Sequence, residues 1–341
     1  VTRVERVPIA ANLRHDQLDT VVTEDWLNHP DAPATGPEPA MPRAELALLF
    51  RLAQHLKAQR EVVRGKPETF NRPDYNFRLV GNDGAEPRGH EQVQISVRQR
   101  GAPLDLMVAE AMILANSTWG QWMSELGVPA IYRSQASLLP GVKVRMGTKA
   151  LPHAGIGVPS YAWSTSPLRR YTDLVNQWQI VACAQHGSTA ALAAPFKPKD
   201  ADLFAIISAF DTAYTTYNGY QNSMERFWTL QYVRQQHITE LTATVFKTMP
   251  GQPPMARADD LPLVLPVVGG SNLQRGAKVQ LRLSDIDDIS LDIQGQLLHV
   301  LDDAQAHPAE DVAEDDDDSA AGPIAVALDV NDASDDTGAS A

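Results

Sequence analysis

The chain has a single cysteine, Cys183, among its 341 residues. An intrachain disulfide is therefore excluded, which suits a reducing, cytoplasmic setting. It also lacks any apolar run approaching the roughly 18 residues needed to cross a bilayer, and its start shows no basic stretch followed by an apolar one. A soluble cytoplasmic protein with no membrane partner is expected. Basic residues are missing from Leu301 to Ala341, where 13 Asp or Glu occur without one Lys or Arg. The net charge of -13 thus belongs to the tail, because residues 1–300 hold 29 basic and 29 acidic side chains. A neutral body leaves room for local basic surfaces, so the overall acidity does not exclude nucleic acid.

What is present fills about two domains at the usual roughly 100 to 200 residues each. Residues 24–41 are rich in Pro, Asp and Ala and read as a loop. Leu46, Leu49, Leu52, Ala53 and Leu56 then recur at three- and four-residue spacings, which predicts an amphipathic helix ending near Gly65. Two strands are expected in 71–84 and 91–106, separated by turn residues Gly81 to Gly84. A mostly buried helix should follow over 106–127, then loops and short extended pieces punctuated by Pro, then helices over about 168–186 and 199–236. From Ile238 the chain changes to short β-rich runs divided by Gly and Pro, as in a small barrel. After Asp303 it cannot bury enough apolar surface to offset its entropy, so the tail should be disordered.

The chemistry concentrates in T-S-P-L-R-R-Y-T-D, residues 165–173. Pro167 suits the first helical position, which would set Arg169 and Arg170 in the first turn of a helix. Cations oppose the dipole there, while backbone N–H groups and guanidinium forks together attract phosphate. An anion site is one reading; salt bridges to nearby carboxylates such as Asp173 are the other.

The wider stretch from His153 to Asn176, H-A-G-I-G-V-P-S-Y-A-W-S-T-S-P-L-R-R-Y-T-D-L-V-N, resembles the signature of the RNB family, the catalytic domain of ribonuclease II and ribonuclease R. In the same order stand A-N-L-R-H-D-Q-L-D (11–19), R-P-D-Y-N-F (72–77), E-A-M-I-L-A-N (110–116) and G-V-P-A-I-Y-R (127–133). The resemblance implies an α+β chain: the C-terminal portion of an RNB catalytic domain over 1–237, an OB-like RNA-binding barrel over 238–303, and a disordered acidic tail over 304–341. It further implies part of a processive 3′ to 5′ exoribonuclease that hydrolyses single-stranded RNA to nucleoside 5′-monophosphates with Mg²⁺, in a monomer.

By motif match, Arg169 would stabilise charge on the scissile phosphate and Glu225 would lie near the reaction centre. Phe70 would stack on terminal bases, and Arg170 and Glu110 would contact RNA. His153 is expected to be a structural hydrogen-bonder rather than a base, because a metal mechanism needs no histidine. The family's Asp cluster is absent, and its metal ligands are expected upstream of this chain, which begins with Val and reads like the middle of a protein. Asp315 to Asp318 offer no fixed geometry in its place. Asp285, Asp287 and Asp288 should cap or turn strands.

Further departures are Ala109, where many members carry a second glutamate, and the 31 residues between Arg133 and Thr165, a shortened insert. The barrel region has Phe246 as its only aromatic, which disfavours base stacking there. The alternative is a non-catalytic RNA-binding or complex-tethering protein that keeps the RNB shell. A general anion-binding protein is a third reading, at odds with the ordered motifs.

Overall fold

The computed structural model describes residues 2–9, 18–29, 42–68, 74–81, 91–98, 101–139, 142–302 and 325–326. The chain runs through α1 (Glu24–Asn28), α2 (Arg43–Arg64), the antiparallel hairpin β1 (Asp74–Val80) and β2 (Gln92–Arg98), and α3 (Pro103–Glu125). Short strands β3 (Tyr132–Ser134) and β4 (Arg145–Gly147) precede α4 (Tyr171–His186), α5 (Ala190–Ala193) and the 35-residue α6 (Ala201–Gln235). Then come β5 (Glu240–Lys247), β6 (Met255–Ala258), β7 (Val264–Val268), β8 (Lys278–Leu283), β9 (Gly295–Asp302) and the two-residue β10 (Ala325–Val326). The class is α+β.

The chain divides into two compact units. The first holds α1 to α5 with β3 and β4, and α6 as far as Thr216. Its helices pack through the apolar stripes that the spacing predicts: Leu46, Phe50 and Ala53 of α2 meet Leu104 and Met107 of α3. Gly65 closes α2 at φ +78°, a conformation cheap only for glycine, with its N–H on Glu61 O at 2.9 Å.

The stretch 24–41, read as loop, begins with a helix. Thr23 Oγ1 accepts the Trp26 N–H at 3.2 Å, which caps α1. Trp26 and Leu27 then join the apolar cluster of α2 and α3. Two buried apolar side chains and one cap outweigh the Pro- and Asp-rich composition of the run. In the same unit β10 lies parallel to β4, Ala325 opposite Arg145; the rest of the acidic tail is outside the described residues.

The second unit is built on a closed barrel of order β5-β6-β7-β9-β8, antiparallel except for the parallel β7–β9 pair. This is an OB-like barrel. Alternate residues of β8 (Val279, Leu281) and β7 (Leu265, Val267) fill it. Gly295 is closely packed where β9 enters, since a Cβ there would lie 2.7 Å from Leu281 Cδ1 and that core side chain would have to shift. The unit also takes in the β1–β2 hairpin and α6 from Tyr217 onward. Ile95, Leu230 and Val233 pack on the barrel core, and Gln235 bonds to both Glu91 O and Val93 N. Those long-range contacts explain why the barrel's unit begins before the composition shift at Ile238.

Candidate functional site

In the first unit, the segment from His153 to Arg170 has almost no regular structure, so its backbone must find side-chain partners. Asn116 of α3 supplies one set: its Oδ1 accepts the Ser164 N–H at 3.0 Å, and its Nδ2 donates to Tyr161 Oη and Thr165 Oγ1. Asn176 of α4 supplies the other. Its Nδ2 donates to Trp163 O at 2.7 Å and Ile131 O at 2.9 Å, and its Oδ1 accepts the Ile131 N–H at 2.8 Å. Two helices therefore clamp one loop from opposite ends of their amides.

Pro167 does not begin the helix. The N–H groups of Arg169 and Arg170 both turn back to Ser166 O, at 3.2 and 3.0 Å, and α4 starts at Tyr171 with Arg170 as its extended N-cap. The cause is Asp173, whose Oδ1 accepts the Ser166 N–H at 2.8 Å and holds the Ser-Pro corner against the first helical turn.

The turn splits the arginine pair. Arg170 is 6% exposed, its Nη2 donates to Asp173 Oδ1 at 2.9 Å, and its guanidinium lies 4.1 Å from the Trp163 ring centre. Arg133 of β3 also stacks on Trp163, at 4.0 Å. Such desolvated cation–π contacts contribute about 2 kcal/mol each. Salt bridging to Asp173 thus describes Arg170, which is held inside the protein rather than offered to RNA. Arg169 and Leu168 occupy the exposed tip of the turn. The charge conflict at the helix N-terminus is neutralised for Arg170 by Asp173.

Glu110 is also inside, 2% exposed. Its carboxylate receives Arg60 Nε at 3.0 Å and Arg60 Nη2, and Arg60 further reaches Glu68 and Ile156 O. Burial alone would lower the Arg60 pKa, but the bonds to Glu110 and the charge of Glu68 raise it above its ordinary value. Glu110 therefore serves α2–α3 packing. Gly157 follows from the same crossing: at φ +78°, a Cβ on it would sit 2.5 Å from Arg60 O.

His153 is buried and its Nδ1 accepts the Ile156 N–H at 3.3 Å, a loop-forming role like the one expected. Glu225 lies in the second unit on α6, half-buried, its Oε1 accepting from Gln221 Nε2 at 3.1 Å. Phe70 is outside the described residues. Asp287 caps a turn, accepting the N–H groups of Ile289 and Ser290, and these bonds hold its carboxyl below the usual range. Asp288 pairs with Arg234 at 2.6 Å. Among the described residues no three His, Cys, Asp or Glu side chains come together as metal ligands. A Mg²⁺ ion needs such convergent oxygens, so the described residues do not fit a metal centre.

Sequence reasoning passed over Trp163, Arg133, Asn116 and Asn176, which build the site. The signal was present: the motif stretches 110–116 and 153–176 each end on one of these asparagines, and an asparagine inside an apolar helix face needs buried partners.

The chain matches the family model described as RNB domain over residues 10–143 and 136–186, together more than half of its length. It is 27% identical to an uncharacterized ribonuclease, sll1290, of Synechocystis sp., over 42% of this chain and 24% of that protein. Among solved structures, an active-site mutant of the Dss1 exoribonuclease from Candida glabrata aligns with TM-score 0.60 and 17% identity, covering 81% of this chain and 37% of that one. RNase R of Mycoplasma genitalium in complex with ribose-methylated single-stranded RNA aligns with TM-score 0.58 and 15% identity, covering 83% and 53%. The chain thus spans about a quarter of that curated relative's length and at most about half of these two solved chains.

Proposed function

This chain belongs to the RNB domain family, and we propose on that premise that it is the C-terminal part of a processive 3′ to 5′ exoribonuclease. The substrate is single-stranded RNA and the products are nucleoside 5′-monophosphates. The observation that carries the reading is the split of the arginine pair: Arg170 is spent on Trp163 and Asp173, and by doing so fixes the turn that presents Arg169. A guanidinium held at a defined place beside a helix N-terminus can meet charge that builds up on a phosphate during cleavage. Arg170 acts as a positioning residue. Mg²⁺ is assigned to carboxylates upstream of this segment, so the chain alone is expected to leave RNA intact.

The test uses the full-length protein on a 5′-labelled single strand. Stepwise shortening from the 3′ end with release of monophosphates is expected, and internal cuts would overturn the reading. A non-catalytic RNA-binding or complex-tethering role is the second reading, favoured by the lack of a ligand cluster among the described residues. Binding of the same strand with no cleavage by the full-length protein is its signature.

A further inference from the structure

Of the six tryptophans, Trp178 alone is exposed, at 40%, while the others are buried or half-buried. It stands on α4 two turns after Tyr171, which is 50% exposed, and a seven-residue spacing puts both on one side of the helix. Their rings meet edge to face, with centres 6.1 Å apart and planes at 85°. Neither ring belongs to an apolar cluster of the first unit, whereas Val175, Ile180 and Cys183 of the same helix do. The exposed turn residues Leu168 and Arg169 lie immediately ahead in the chain.

Charge and ring chemistry together set the occupant. From Thr165 to His186 the sequence has one carboxylate, Asp173, and that group is fully buried against Arg170. This stretch therefore presents the Arg169 cation and two open rings to solvent with no acidic side chain of its own to repel a polyanion. We propose that Tyr171 and Trp178 form a stacking platform for bases of single-stranded RNA, beside the phosphate position given to Arg169. Each base has a π-face that a ring can cover whatever the sequence, and Arg169 supplies the neighbouring backbone contact. An acidic peptide would meet Arg169 but bring no such face to the rings. The proposal rests on the RNA reading of this chain and not on its cleavage chemistry.

Fluorescence anisotropy of a labelled oligouridylate of about 12 nucleotides, titrated in EDTA with the whole chain, tests it. Trp178→Leu keeps an apolar side chain and removes the ring, so affinity should fall at least about tenfold, and Tyr171→Leu should act in the same direction. Trp178→Phe keeps a ring and should stay within about threefold of the parent. An abasic strand of the same length has phosphates without bases, and should bind the parent and Trp178→Leu equally. No binding of the oligouridylate to the parent up to about 100 μM, an unchanged affinity in Trp178→Leu, or an equal loss with the abasic strand would overturn the proposal. If the full-length protein still shortened RNA from its 3′ end, the exoribonuclease reading would stand without the platform. A dimer of the parent that dissociates in Trp178→Leu while RNA affinity stays the same, seen by sedimentation equilibrium, would give this surface to a second copy of the chain instead.

Discussion

Arg169 and Arg170 carry the same chemistry at adjacent positions, and burial separates them: Arg170 is inside the protein and Arg169 is exposed. On the proposed exoribonuclease reading, Arg169→Lys in the full-length protein keeps the charge but loses the fork, so the cleavage rate should fall about a hundredfold while RNA affinity changes less than about threefold. Equal losses in both, measured by single-turnover kinetics and equilibrium binding, would mark Arg169 as a simple backbone clamp. Arg170→Ala acts on stability instead. It strips Asp173, fully buried, of its charge partner and removes a stack on Trp163, at a cost of about 3 to 5 kcal/mol. Arg169→Ala should stay within about 0.5 kcal/mol of the parent. Urea unfolding of the two variants, followed by Trp fluorescence, separates them, and a similar loss in both would contradict the division of roles.

Elements with a strong local period were legible before any coordinates. The apolar spacing of α2, α3 and α6 marks each helix to within a few residues, and Gly65 marks an end, because these depend on neighbours three and four positions away. What escaped depends on partners far along the chain. The start of α4 shifted from Pro167 to Tyr171 because Asp173 captured the Ser166 N–H. The hairpin β1–β2 joined the barrel's unit through Gln235, some 140 residues away, and the parallel β7–β9 closure leaves no pattern in either strand. The motif that singled out Arg169 said nothing of the Trp163 stack, since residue type alone does not tell which of two arginines turns inward. The short helix α1 was hidden by its composition and rests on one cap and two apolar side chains. Thr23→Ala should therefore cost about 1 kcal/mol, read as a lower urea midpoint, and an unchanged midpoint would place the stability of α1 wholly in the packing of Trp26 and Leu27.

For the molecule as a whole, neutral groups buried in the first unit set the alkaline limit. Burial pushes the Cys183 thiol from its ordinary value of 9.0 up to about 11, and burial, then Cys183, raises the Tyr132 hydroxyl as well. Both must stay protonated in the folded state, whereas the unfolded chain ionises at lower pH. The Cys183 contribution is fully present below about pH 9 and is lost as pH rises toward 11. Unfolding free energy should decline across that window, and Cys183→Ala should flatten the decline; an identical slope in the variant would remove Cys183 from the account. The clamps of Asn116 and Asn176 have a different reach. The amides of Ile131, Ser164 and Ser166 belong to no helix and to no strand ladder, yet each is tied to a side chain whose own helix is docked in the core. They can meet solvent deuterium only when α3 or α4 moves away. In a hydrogen-exchange map this irregular segment should be as slow as the helices that hold it, so that its protection reports the docking of α3 and α4 rather than any secondary structure of its own.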